Sequence, residues 1–343
     1  MQEIKDLSLE DLKNVLEGWN LPAFHVRQIF FWLYKRGVKD FAQMSDLPLA
    51  LRNRLKENFS LSELKAAEAL QSKDGTKKFI FRLEDGSFIE AVLIPAQGRV
   101  TGCISTQAGC KFACHFCASG LAGFKRNLDC AEIIAEILYL KNHSAAKKLT
   151  HLVFMGTGEP LDNYDNVMKA IRLINSPETL DIGARRITIS TAGVIPGIKR
   201  LSQEGLQVEL SVSLHAADDK TRSLLMPINK IYSLKDLLAA CREYIEKTNR
   251  QVTFEYVLIK GINSDLQSAG KLSTILKGLK LAKVNLIPSN PIKELKIEPP
   301  VRQDILGFKN YLLRQGINVT LRKSRGEDIE AACGQLRLRY EKK

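Results

Sequence analysis

A chain of 343 residues that is 45% hydrophobic and 26% charged is globular in composition and long enough to bury a large core. It has no apolar run of the roughly 18 residues a transmembrane helix needs, and Met1-Gln-Glu-Ile-Lys-Asp6 lacks the basic-then-apolar pattern of a signal peptide. Fifty-one Lys and Arg against 38 Asp and Glu leave a net charge of +13, which favours a polyanionic partner, nucleic acid above all; a merely soluble basic protein is the bland alternative. Seven cysteines, an odd number with three of them clustered, speak for a reducing cytoplasm and against a disulfide scaffold.

Residues 1–65 read as a helical accessory unit. Ser8 with Asp11 caps a helix over Leu9–Glu17 that Gly18 stops. After Pro22, apolar residues at helical spacing run from His25 to Gly37, a C-cap candidate, and a third helix covers Leu49–Asn58. Phe30, Phe31, Trp32 and Tyr34 are either a bundle core or bases' stacking partners, with the core reading favoured, and Lys35, Arg36, Arg52, Arg54 and Lys56 leave one face basic. Residues 66–100 form a linker and β-hairpin: the period becomes two over Lys78–Leu83 and Ser87–Ile94, around Glu84-Asp85-Gly86. Glu90 falls on the opposite face from Ile89 and Ala91, where a solvated strand carboxylate is the plain reading.

Next comes Cys110-Lys-Phe-Ala-Cys114-His-Phe-Cys117, three thiols at spacings of four and three. A structural zinc site closes with four ligands from two separated knuckles. No second knuckle exists, and His115 lies between two of the thiols. Three thiolates on a four-iron cluster would instead leave one iron open. C-x3-C-x2-C with Phe116 before the last cysteine resembles the signature of the radical S-adenosylmethionine (SAM) superfamily.

From residue 101 to 343 strands and helices alternate, which demands a parallel sheet and an α/β partial barrel of about six βα units, with its site at the C-terminal strand ends. The strand candidates are Gly102–Ser105, Leu149–Met155, Arg186–Thr191, Val208–Leu214, Val252–Leu258, Lys283–Ile287 and Asn318–Leu321. Helices are expected at Ala131–Lys141, Tyr164–Ile174, Leu234–Lys247, Leu266–Leu279 and Val301–Gln315. Polar motifs fall at the strand ends: Gly156-Thr-Gly158-Glu159-Pro160, whose glycines let backbone approach a ligand and whose carboxylate can take an ammonium group, then Ser190-Thr191, Ser213-Leu214-His215 and Asn290-Pro291. Each alone reads equally well as a turn or a helix cap. Cys333, beside Gly334 in an expected flexible loop, and Cys103, at the start of the strand leading to the cluster motif, pass singly for small buried hydrophobes.

Together, Cys103–Cys110, the cluster motif, Gly123–Leu128, Gly158–Leu161, Ile189–Gly193, Ser213–Ala216, Leu225–Asn229, Asn285–Pro288 and Arg325–Leu336 resemble the RlmN-type dual-specificity RNA methyltransferases, over essentially the whole chain. The resemblance implies a radical SAM barrel with a [4Fe-4S] cluster on Cys110, Cys114 and Cys117. Gly158, Glu159, Ser190, Ser213, Leu214, His215 and Asn290 would surround SAM. It implies methylation of adenine C2 in the peptidyl-transferase region of 23S rRNA and at position 37 of tRNA, with two SAM per turnover. Cys333 takes a methyl from one SAM, a radical from the second activates that methyl, and the carbon adds to C2. Cys103 then resolves the RNA–protein crosslink through a transient disulfide with Cys333, and either Glu90 or Cys103 takes the C2 proton. An electron donor such as flavodoxin and a monomeric, cytoplasmic protein are expected with it. The rivals are Cfr-type methylation at C8, a radical SAM enzyme on a non-RNA substrate, and a zinc-containing RNA-binding protein.

Overall fold

The structure is a computed structural model that describes residues 1–121, 123–145, 148–290 and 297–335. Pro291 and Leu336, which end two of the motifs above, lie outside the described residues. Ten strands form one sheet: β1 Ala66–Gln71, β2 Lys77–Arg82, β3 Phe88–Ala96, β4 Arg99–Cys103, β5 His151–Phe154, β6 Ile187–Thr191, β7 Glu209–Ser213, β8 Val252–Leu258, β9 Ala282–Pro288 and β10 Asn318–Leu321. Neighbours in the sheet follow chain order throughout. Strands β1 to β4 pair antiparallel, and β4 to β10 pair parallel.

The parallel half is a partial barrel of six βα units, in agreement with the alternating pattern. Its crossover helices are α4 Cys130–His143, α5 Tyr164–Asn175, α6 Ile195–Leu201, α8 Leu234–Thr248, α9 Leu266–Leu276 and α10 Arg302–Arg314, and a short α7 Asp219–Leu225 is inserted before α8. Chemistry sets these boundaries. Asp129 and Glu132 form a reciprocal capping box that opens α4. Asn249 closes α8 in the left-handed region.

The hairpin β2–β3 turns at Gly86, whose φ of +81° suits the residue without a Cβ. Its two faces differ from the expected pattern, because Ile89 to Leu93 are all buried. Glu90 is therefore not a solvated strand carboxylate. It is completely enclosed and pairs with Lys78, itself buried, at 3.0 Å. The covering element on that face is the C-terminal segment: Lys78 Nζ also donates to Glu330 O, and Ala331 packs against Val92, Cys103 and Val153.

N-terminal to the sheet lie α1 Leu9–Gly18, α2 Phe24–Phe30 and α3 Leu49–Asn58. Ser8 and Asp11 make the capping box that opens α1. A π-helical turn over Phe31–Arg36 continues α2 and ends at Gly37 with φ +65°. The aromatics divide accordingly: Phe30 and Tyr34 are fully buried, whereas Phe31 stays 41% exposed. Helix α4 serves both halves of the chain. Its first turn receives Asp6 on Ala131 N–H, and Lys141 donates to Tyr34 O and Lys35 O. One continuous apolar core runs from Leu12 and Leu16 through Ile133 and Ile137 to the barrel, and each such side chain contributes roughly 1.5–3 kcal/mol by burial.

Candidate active site

The cluster motif is placed by a loop that closes over the barrel end. After β4 the chain crosses to Gln107–Gly109, which pairs antiparallel with Phe124–Asn127. Gly109 has φ +77°, and a Cβ there would sit 1.7 Å from Gly123 O, so only glycine delivers Cys110 to its position. The loop is then fastened at three points: Cys110 N–H to Gly123 O (2.8 Å), His115 N–H to Leu225 O (2.9 Å) and Ala118 N–H to Gly334 O (2.7 Å).

Cys110, Cys114 and Cys117 line one cavity of about 170 Å³ at the C-terminal ends of β5 to β9. Burial pushes all three thiols up, Cys110 to about 12; repulsion from the other cluster thiols adds to it at Cys110 and Cys114, and repulsion from Cys333 at Cys117. Such a set becomes thiolate only against a positive centre in the cavity. Among the described residues no three His, Cys, Asp or Glu converge closely enough to hold a single metal ion. Three thiols lining one cavity offer three anchors, one short of the four ligands that close a structural zinc site.

Gly158, Glu159, Ser190, Ser213, His215 and Asn290 face the same cavity. Leu214 does not: its side chain is fully buried in the core and its carbonyl accepts from Arg222. Glu159 is buried, and its carboxylate accepts from Ala192 N–H at 2.6 Å and Leu161 N–H at 3.0 Å. Burial nonetheless raises it to about 7. His215 is held in the left-handed region at φ +58°. Its Nδ1 accepts from Val257 N–H at 3.0 Å, which leaves the proton on Nε2. Burial lowers the ring to about 3, so it stays neutral.

The glycines of residues 156–158 line the cavity and also meet a packing need. A Cβ on Gly156 would lie 2.5 Å from Ile104 C, and one on Gly158 2.5 Å from Gln107 Cβ. They let the β5–α5 loop pack against the chain that carries the cluster motif. Gly158→Ala, with φ +104°, should cost about 1–3 kcal/mol in backbone strain and a similar amount in overlap. Thermal denaturation should show it as a melting point lowered by ~2–4 °C per kcal/mol; an unchanged melting point would contradict this packing.

Cys333 stands on the wall between that cavity and a second one of about 220 Å³. Cys103, Arg99, Thr101, Lys323 and Arg325 line the second cavity, and Arg322 and Asn290 border both. Asn290 Nδ2 donates to Cys333 O at 3.2 Å. Cys103 ends β4, and does not begin a strand as the sequence pattern suggested. It is buried, and burial, then the neighbouring Cys333, push its thiol far up while Arg322 draws it down. No disulfide joins the two here, where all seven cysteines are free, so the transient bond expected during turnover has no support from this structure. Glu90 lines neither cavity. It is two residues from Val92, which pairs with Cys103 across β3 and β4, so it lies behind Cys103 on the same sheet face.

The profile of the radical SAM superfamily matches residues 104–268, and that of the ribosomal RNA large subunit methyltransferase N-terminal domain matches residues 2–61. A curated relative from Heliobacterium modesticaldum, named a probable dual-specificity RNA methyltransferase RlmN, is 46% identical over 98% of this chain and 89% of its own. One of the same name from Geobacillus kaustophilus is 45% identical over 100% of this chain and 94% of its own. The chain belongs to the RlmN family of radical SAM RNA methyltransferases. A solved radical SAM methyltransferase from Sphaerobacter thermophilus agrees in fold, with a TM-score of 0.94 and 43% identity over 98% of this chain and 99% of that one. Membership of the superfamily implies SAM and an iron–sulfur cluster.

Three residues of this RlmN-family site escaped the reading of the sequence. Arg222 lies just before the Leu225–Asn229 motif and is fully buried. Glu255 hides in the apolar strand β8, accepts from Asn285 Nδ2 at 2.8 Å and faces the cluster cavity. Arg322 opens the C-terminal segment, and its charge acts first on Cys333 and then on Glu255 and Cys103. A lone charge inside an otherwise apolar strand is the signal that marks Glu255; Arg222 and Arg322 stand among other charged residues and carry no such mark.

Proposed function

We propose that this RlmN-family chain methylates C2 of an adenine in the peptidyl-transferase region of 23S rRNA and adenine 37 of tRNA, through a methylated Cys333 and two SAM per turnover. The observation that supports it most is the position of Cys333 on the wall shared by two cavities. One holds the cluster cysteines and the SAM-facing residues. The other is bordered by Arg99, Arg322, Lys323 and Arg325, whose charges suit an RNA backbone entering with its base.

Cys110, Cys114 and Cys117 would hold the [4Fe-4S] cluster, and Gly158, Glu159, Ser190, Ser213, His215 and Asn290 would surround SAM; Leu214 offers only its backbone. Bound there, the cluster and SAM supply one-electron chemistry that removes a hydrogen atom from an unactivated methyl group. Cys333 accepts a methyl by displacement and carries it to the base. Cys103, across the second cavity, is the thiol that would attack the Cys333 sulfur, breaking its bond to the carbon on the base and forming a transient sulfur–sulfur bond. Of the two candidates for the C2 proton, Cys103 faces the cavity, whereas Glu90 is tied to Lys78 behind it; Cys103 is the better placed. The Cys333 loop must serve both cavities and so moves during turnover. A donor such as flavodoxin would feed the cluster, and the protein would act as a cytoplasmic monomer; no helix among the described residues is long and apolar enough to cross a membrane.

The test is product analysis. Reconstituted protein with 23S rRNA fragments or tRNA, SAM and a reductant should yield 2-methyladenosine after nuclease digestion. Appearance of 8-methyladenosine would move the chain to Cfr-type chemistry, and neither product with any RNA would overturn the proposal.

A further inference from the structure

Lys78 stands on strand β2 and is only 2% exposed, a costly place for an ammonium group. Glu90 on β3, itself enclosed, answers the charge at 3.0 Å. The register of the sheet makes this pair one end of a row. Lys78 lies opposite Val92, Val92 opposite Cys103, and Cys103 opposite Val153, on β2, β3, β4 and β5. Residues paired directly across strands project from the same face. One face therefore carries Lys78, Val92, Cys103 and Val153 in line, with Glu90 beside Val92.

The C-terminal segment lies along that row. Ala331, two residues before Cys333, packs against Val92, Cys103 and Val153. At the other end Lys78 Nζ donates to Glu330 O at 3.1 Å. Glu330 needs holding, because at φ +52° it is a residue with a Cβ in the left-handed region, which persists only where its surroundings enforce it. Upstream, the turn between β1 and β2 grips the same segment. Ser72 Oγ donates to Asp328 Oδ1 (2.5 Å), Lys73 N–H to Asp328 Oδ2 (3.2 Å) and Gly326 N–H to Asp74 Oδ2 (3.1 Å). Ala331 N–H then closes the segment on Gly326 O at 2.8 Å. Of these anchors, Lys78 is the buried one and the one bonded next to Ala331.

We propose that Lys78 is a positioning residue for Cys333. By holding Glu330 O it fixes the root of the catalytic segment on the row that carries Cys103, so that only the residues after Ala331 travel between the two cavities. The inference rests on the roles given above to Cys333 and Cys103. Glu90 in this account keeps the Lys78 ammonium in one place and does not touch the base. A reacting group displaced by about 1 Å can lose on the order of 100-fold in rate, and Glu330 is close enough in the chain to Cys333 to set where its sulfur stands.

The test is the rate at which Cys333 takes a labelled methyl group from SAM, read by peptide mass spectrometry on reconstituted full-length protein without RNA. Wild type is compared with Lys78→Met and with the double variant Lys78→Met/Glu90→Gln, and iron content, SAM affinity and melting point are measured alongside. Lys78→Met should keep the iron content and SAM affinity of wild type yet label Cys333 at least about tenfold more slowly. The double variant leaves no buried carboxylate without its cation, so it should regain the melting point lost in Lys78→Met and still label slowly. Labelling precedes removal of the C2 proton, so the change at Glu90 does not enter through that step. A wild-type labelling rate in Lys78→Met would overturn the positioning role. So would a double variant that regains the rate together with the melting point, since Lys78 would then be only the counter-charge of Glu90. Should Lys78→Met not fold, the double variant decides alone by its labelling rate; failure of both to fold would make the pair a strut and also overturn the proposal. A wild-type protein whose Cys333 never takes the label would overturn the reading of Cys333 itself, and this inference with it.

Discussion

Cys114→Ala, like Cys110→Ala and Cys117→Ala, is expected to remove the bound iron and sulfide and to bring RNA methylation down to background, while the melting point of the protein before cluster loading changes little. The three thiols line a cavity and sit on a loop held by backbone hydrogen bonds from Cys110, His115 and Ala118. Truncating one therefore opens space in a cavity and not in the packed core, so the cavity penalty that a buried Leu→Ala change carries does not apply. What is lost is one of three anchors for a group whose affinity depends on all of them. Iron and sulfide analysis with the visible absorption spectrum reads the result. A variant that keeps full iron content and methylates RNA would contradict the assignment of these cysteines.

Cys333→Ala is expected to abolish methylation by a different route: the protein should bind iron and SAM as the wild type does, yet transfer no methyl. Its backbone is fixed by Asn290 Nδ2 on the Cys333 carbonyl and by Gly334 O on Ala118 N–H, and neither contact uses the side chain. Removing the sulfur thus leaves the loop in place and takes away the nucleophile alone. A thiol that gains a methyl and later surrenders it is covalent catalysis, and such a residue has no partial substitute. SAM carrying a labelled methyl group should mark wild-type Cys333, detectable by peptide mass spectrometry, and leave the alanine variant unmarked. Methylation of RNA by Cys333→Ala at even a tenth of the wild-type rate would contradict the role.

Much of the architecture was legible because periodicity and capping are local. The six βα units followed from alternating patterns, and Ser8 with Asp11 marked a helix start that became a capping box. The cluster motif stood out by residue type and spacing, whereas Cys333 alone passed for a small buried hydrophobe and drew notice only through the family resemblance. What local sequence could not show is what covers a face. Glu90 read as solvated because nothing in residues 87–94 says that the C-terminal segment, more than 200 positions on, lies over it; Lys78 bonded to Glu330 O is that cover. For the same reason Gly156 and Gly158 pointed to a ligand, and they do line the cavity, but their close packing on Ile104 and Gln107 was invisible. The short helices α6 and α7 passed unnoticed, since seven residues give too little period to read. With α7 went Arg222, a charge whose partners Ala192, Ser213 and Leu214 lie outside that helix.

The most direct test of the account is to purify Cys103→Ala from cells and examine it by intact-mass and peptide mass spectrometry. Cys103 borders the same cavity as Cys333, and it is the thiol assigned to free the methylated base. Without it the protein should carry RNA covalently bound through Cys333, and the double variant with Cys333→Ala should carry none. A Cys103→Ala protein free of RNA, together with wild-type protein in which Cys333 is never methylated, would contradict a two-thiol methyl transfer at this site.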